Sequence, residues 1–225
     1  MKTIFMTNIK CILFDCDGVL VDSEAIGNQV LLSMAAEHGL QMSLKDAFKN
    51  FNGRSLKDCF QQIERLINKS LPSNFEIAYR KKSYDAFATQ IKPVKGVLAF
   101  INCLTIPYCV ASSGPIEKIQ LTLKTAGLID LFENKMFSSY QINSWKPDPG
   151  IFLHAAQEMG FSVNECIVIE DSLAGVIAAK RGGFKVFGLA NETNSKALEN
   201  EGATIFHTFE ELAILLQMVP TKNSS

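Results

Sequence analysis

Asp15 and Asp17 stand two residues apart, directly after the apolar run Cys11 to Phe14, and Gly18 follows them. If that run is a strand and its alternation persists, both carboxylates face the same way and converge on one ligand. Acids so close suit a hard divalent cation, and they equally suit a turn or a helix cap. Glu170 and Asp171 close a second apolar run, Cys166 to Ile169, and would add oxygen ligands from a neighbouring strand end. Asp171 or Ser172 would also serve simply as the cap of a helix holding Leu173, Val176 and Ile177.

Ser112-Ser113-Gly114-Pro115 follows the run Tyr108 to Ala111 and reads as a strand entering a helix, with Pro at the first helical position. Free backbone N–H groups at such a start, with the Ser112 hydroxyl beside them, make an anion cradle. Lys146 precedes Pro147, which keeps it extended, while Asp148 and Pro149 read as cap and first residue of another helix. A lysine fixed in this way can stand over a phosphate. Each feature has an ordinary structural reading. Together the four loops supply acids, an anion cradle and a cation, which is what a phosphate-handling site requires.

The elements that must position these residues are visible in the apolar pattern. Lys135 to Phe137 and Lys185 to Leu189 join the runs above as strands of the fully buried kind. Between them lie stretches with helical spacing, such as Ile119, Leu123 and Ala126, or Phe152, Ala155, Ala156 and Met159. Gly127, Gly160, Gly182 and Gly202 follow such stretches, where C-terminal caps are expected. Strand and helix alternate from about residue 92 onward, with Cys11 to Phe14 joining from the N-terminus, so an α/β fold is predicted: a parallel sheet with helices on both faces. Ligands of such sheets bind at the carboxyl ends of the strands, where all four loops lie. Residues 23–90 break the rhythm and read as helices only, so the predicted division is a core of residues 1–22 and 91–225 around a helical insertion of residues 23–90.

Composition narrows the function classes. With 225 residues, 47% hydrophobic, 20% charged and a formal charge of -1, the chain is an ordinary globular protein. Lys and Arg are scattered, which excludes a nucleic-acid footprint. The six cysteines form no CxxC pair and read as reduced core residues. Met1 to Met6 is too short for a signal sequence and no window approaches the ~20 apolar residues of a membrane span, so a cytoplasmic location is expected. His38, His154 and His207 have no metal-ligand spacing, and Trp145 is expected to pack.

Phe14-Asp15-Cys16-Asp17-Gly18-Val19-Leu20-Val21-Asp22-Ser23-Glu24, Ala111-Ser112-Ser113-Gly114, Lys146-Pro147-Asp148-Pro149 and Glu170-Asp171-Ser172-Leu173-Ala174-Gly175 resemble, in order, the four signature motifs of the haloacid dehalogenase superfamily. The resemblance spans nearly the whole chain. It implies a Rossmann-like core with a small all-helical cap and a Mg²⁺-dependent phosphatase acting on a small phosphorylated metabolite. It further implies that Asp15 is the nucleophile, that Asp17 is the acid and base and a metal ligand through its carbonyl, and that Asp15 and Asp171 bind the metal with Glu170 as a close partner. Ser112, Ser113 and Lys146 would hold the phosphoryl group. Asp17 separates the chain from dehalogenases, which lack that second acid, and Gly27 stands where related mutases carry a histidine. The wording around Ser138-Ser139-Tyr140 and Ser144-Trp145-Lys146 resembles the branch acting on sugar phosphates, with 6-phosphogluconate as first candidate. Within Asn52-Gly53-Arg54-Ser55, Arg54 is expected to meet the non-phosphate end of the substrate. A phosphoryl-transferring mutase and a non-catalytic binder of a phosphorylated ligand are the alternatives.

Overall fold

The structure is a computed structural model and describes residues 8–51, 55–191 and 193–217. In chain order its elements are β1 (Cys11–Phe14), α1 (Glu24–Ala36), α2 (Leu44–Phe51), α3 (Leu56–Ile67), α4 (Phe75–Gln90), α5 (Val97–Asn102), β2 (Tyr108–Ser112), α6 (Ile116–Thr125) and β3 (Met136–Ser138). There follow α7 (Ser139–Ile142), α8 (Gly150–Glu158), β4 (Cys166–Glu170), α9 (Leu173–Arg181), β5 (Lys185–Leu189), α10 (Ser195–Asn200), β6 (Thr204–Phe206) and α11 (Phe209–Leu215). The six strands form one sheet in the order β3-β2-β1-β4-β5-β6, and every pairing is parallel.

The pleat sorts β1 between two cores. Ile12 and Phe14 point into one, with Val110, Ile167 and Ile169 of the neighbouring strands. Cys11 and Leu13 point into the other, with Cys109, Ala111, Cys166 and Val168. Burial on both faces explains why these strands read as continuous apolar runs rather than alternating ones. Phe14 anchors its side through edge-on contacts with Phe100, Tyr108 and Phe132.

Helices α1 to α4 close a third core of their own around Leu31, Met34, Phe51, Ile63, Phe75 and Tyr79. The chain enters and leaves this helical segment along a pair of adjacent linkers. Asp22 N donates to the Lys92 carbonyl at 2.9 Å, Val94 N donates to the Leu20 carbonyl at 3.0 Å, and Val21 bridges Pro93 between them.

Strand β6 was not expected, and its three residues are too few to show a period. Helix α6 begins at Ile116 with Pro115 as its cap, and α8 at Gly150 with Pro149 as its cap, so both prolines sit one position earlier than expected. Of the cysteines, Cys103 is exposed and the other five are buried, which corrects the core reading for that one residue. Among the described residues no helix is long and apolar enough to cross a membrane.

Candidate active site

Strand order reverses between β1 and β4: the chain builds outward through β2 and β3 on one side and through β5 and β6 on the other. Such a switch point leaves a crevice at the carboxyl ends of the two central strands. Asp15 extends β1 there, its N–H donating to the Ile169 carbonyl at 2.9 Å, and Glu170 and Asp171 stand at the end of β4. One cavity of about 530 Å³ brings these three together with Asp17, Ser112, Ser113 and Lys146. All the described residues expected from the sequence therefore share one site. Arg54 lies outside the described residues, although Ser55 and Lys57 just beyond it line the cavity.

Lys146 organises the acids. Its ammonium donates to Asp15 Oδ1 and, at 2.6 Å, to Glu170 Oε1, and it stands 4.7 Å from the centre of the Phe152 ring. Burial alone would depress this lysine, yet the fields of Asp15 and Glu170 outweigh it and hold the ammonium well above its ordinary range. Glu170 is fully buried and fully engaged. Its Oε2 accepts from the backbone N–H groups of Asp171 and Ser172 at 2.9 and 2.7 Å and from the Ser172 hydroxyl at 2.9 Å. These bonds hold Lys146 and the start of α9 in place.

Two glycines make the acid cluster possible. A Cβ on Gly18, whose φ is +78°, would fall 2.0 Å from Asp171 Oδ2, and one on Gly175 would fall 1.8 Å from Glu170 Oε1. A side chain at either place would have to displace the carboxylate.

Asp15, Glu170 and Asp171 each offer a carboxylate oxygen within 4.8 Å of the others. Burial, with the neighbouring acids adding and Lys146 opposing, pushes the Asp15 carboxyl up to about 7, and burial with Glu170 pushes Asp171 well above the carboxylate range. Once ionised, three carboxylates against one ammonium would leave two uncompensated negative charges, which one divalent cation would balance. All the donors are hard oxygens, so the residues fit Mg²⁺.

Asp17 is held separately. It accepts from the Ser23 hydroxyl on Oδ1 and from the Lys118 ammonium on Oδ2 at 2.7 Å. Burial works against its ionised form, but Lys118 and Ser23 prevail and lower its carboxyl below the ordinary range. Neither partner was singled out from the sequence. The available signal was spacing: Lys118 is one helical turn beyond Gly114 and so faces the same crevice as the anion loop.

In that loop Ser112 is buried and its hydroxyl accepts from Gly114 N at 3.1 Å. The Ser138 hydroxyl of β3 donates to the Gly114 carbonyl at 2.7 Å and ties the turn to the sheet. Trp145, expected to pack, is 42% exposed and lines the cavity.

An open parallel sheet with acids and a lysine gathered at its switch point is the plan of an α/β enzyme that handles anions. A family model described as haloacid dehalogenase-like hydrolase matches residues 9–183, and the chain belongs to that family. It is a hydrolase of the phosphatase kind. It is 32% identical to the 6-phosphogluconate phosphatase of Escherichia coli (strain K12) over 208 residues, which cover 92% of this chain and 94% of the relative. It is 27% identical to hexitol phosphatase A of the same organism, with 92% and 95% covered. Among solved structures, a haloacid dehalogenase-like protein of unknown function from Agrobacterium tumefaciens str. C58 superposes with a TM-score of 0.86 at 28% identity, covering 93% of this chain and 98% of that one.

Proposed function

We propose that the chain is a Mg²⁺-dependent phosphomonoesterase acting on a small sugar phosphate, with 6-phosphogluconate as first candidate, through an aspartyl-phosphate on Asp15. The observation that carries this reading is the buried Asp15 carboxylate held by Lys146 beside Glu170 and Asp171 at the β1/β4 crevice. The names of the relatives in Escherichia coli supply the substrate class.

In the proposed reaction an Asp15 oxygen attacks phosphorus while Ser112, Ser113 and Lys146 hold the phosphoryl oxygens. The ester P–O bond breaks, its electron pair stays on the departing oxygen, and that oxygen receives a proton from Asp17, whose carboxylate, ionised beside Lys118 in the free site, takes one up from solvent when the anionic substrate binds. The Asp17 carboxylate then takes a proton from water, the water oxygen attacks phosphorus, and the bond to Asp15 breaks to release phosphate. Asp15, Asp171 and the Asp17 carbonyl would hold Mg²⁺, which would supply charge neutralisation at the phosphoryl group. Lys146 offsets repulsion between Asp15 and the anionic substrate, and Glu170 keeps Lys146 in place.

Residues 23–90 act in this scheme as a cap over a core of residues 1–22 and 91–225, with the paired linkers around Val21 and Pro93 as the hinge. The mutase alternative loses ground at Gly27. No imidazole stands there, and a Cβ added to it would lie 3.3 Å from the Tyr79 hydroxyl, which donates to the Gly27 carbonyl at 3.4 Å.

The test is phosphate release from a panel of sugar and small acid phosphates, with and without Mg²⁺, against Asp15→Asn. Metal-dependent release that the variant lacks is the expected result. A folded protein that releases no phosphate from any member overturns the reading.

A further inference from the structure

The outer part of the same cavity has a different chemistry from its acid floor. Tyr140 and Trp145 line it at 46% and 42% exposure, their rings edge to face with centroids 5.2 Å apart. Exposed aromatic rings inside a cavity leave apolar surface open to a ligand. Glu76 and Arg80 of α4 line it as well. Arg80 sets both Nε and Nη2 on Glu76 Oε1, at 2.9 and 2.7 Å. All four residues line the one cavity, so cap helix and aromatic pair face a common space.

An i,i+4 ion pair on a helix surface adds little to stability, so stability is a weak reason for this one to stand in the cavity. The pair leaves much of its hydrogen-bonding capacity open. A guanidinium has five N–H donors, of which two are engaged among the described residues, and Glu76 Oε2 accepts from no side chain among them. Adjacent donors and acceptors without net charge match hydroxyl groups, each of which both donates and accepts. The aromatic faces match the C–H surface of the carbon chain that carries them.

We propose that the Glu76–Arg80 pair and the Tyr140–Trp145 shelf form a leaving-group subsite that selects a polyhydroxylated carbon chain, with Glu76 and Arg80 as its specificity-determining residues. The proposal rests on the phosphatase reading for the phosphoryl end of the ligand.

Trp145 is the single tryptophan of the chain, so its emission reports on the shelf directly. Asp15→Asn, with Mg²⁺ present, is titrated with glucitol 6-phosphate, n-hexyl phosphate and inorganic phosphate while that emission is followed. Glucitol 6-phosphate is expected to shift the emission and to bind at least ~10-fold more tightly than n-hexyl phosphate, because a site built to bond hydroxyls penalises an analogue without them. Adding Glu76→Gln and Arg80→Met together is expected to remove that preference and to leave the binding of inorganic phosphate unchanged. Both side chains are solvent-accessible on a helix surface, and an unaltered thermal midpoint checks that the variant is folded. Equal binding of the two esters, or a preference that survives the double substitution, overturns the subsite. An intact and substitution-sensitive preference, in a native protein that releases no phosphate from any ester, supports the subsite and overturns the proposed reaction.

Discussion

Lys146 draws its position from Glu170 and its chemistry from Asp15, and the contact to Glu170 depends on space left by Gly175. Gly175→Ala would drive a methyl group into Glu170 and displace the carboxylate that aims the lysine. We expect a stability loss of about 1–3 kcal/mol from this overpacking, read from the urea midpoint, and a fall in kcat larger than any change in KM. Lys118 acts on the other acid. Its ammonium and the Ser23 hydroxyl fix the Asp17 carboxylate, and Lys118→Met removes the stronger of the two restraints. General acid catalysis is worth roughly 10²–10⁴ in rate, so misplacing Asp17 should slow alkyl phosphates by at least ~10-fold. Hydrolysis of p-nitrophenyl phosphate, whose leaving group needs no proton, should change far less. Equal slowing of both esters would mean that Lys118 serves the phosphoryl end instead. The four motif clusters were legible because each places polar residues after an apolar run of strand type. Lys118, Glu76 and Arg80 were not, because a charged residue on a helix has many ordinary uses and its partners are distant in sequence.

Ser138 shows how an element, rather than a residue, prepares the anion loop. The end of β3 pairs with the end of β2, Ser138 opposite Ser112, and from there its hydroxyl reaches the Gly114 carbonyl while also accepting from Tyr140 N at the start of α7. One buried side chain thus caps a helix and pins a turn. Ser138→Ala should cost about 1–2 kcal/mol in denaturant unfolding, and it should raise KM for phosphate esters by loosening the loop. An unchanged KM would show that the loop holds its shape without β3. The strands that carry the site were readable because parallel strands buried on both faces are apolar throughout, and β1 and β5 fall at their expected bounds. Edge strand β6 has three residues and no such signature. The helical insertion was readable from the break in rhythm, but the pairing of its two linkers joins residues about seventy apart and left no local trace.

At the scale of the whole molecule, folding forces like charges together and a bound cation should relieve them. Without one, burial raises the Asp15 carboxyl to about 7, and burial with Asp17 and Asp22 does the same for Glu24. Their unfolded values lie near ~4. Between these limits the folded protein binds more protons than the unfolded chain, so stability falls as pH rises through that interval. Mg²⁺ favours the ionised acids, so the rise in Tm on adding it should be larger near about pH 7 than near about pH 5, and EDTA should abolish it. Calorimetry in matched buffers measures both, and equal increments at the two pH values would place the metal elsewhere. The sequence by itself determined the class of fold and the chemistry of four loops, because burial pattern and motif spacing are local properties of the chain. Tertiary structure alone decided which charges pair, that Glu170 aims Lys146, and that Trp145 lies open in the cavity beside Tyr140. Those outcomes depend on distances between strand ends and helices far apart in the chain, and it is packing that sets such distances.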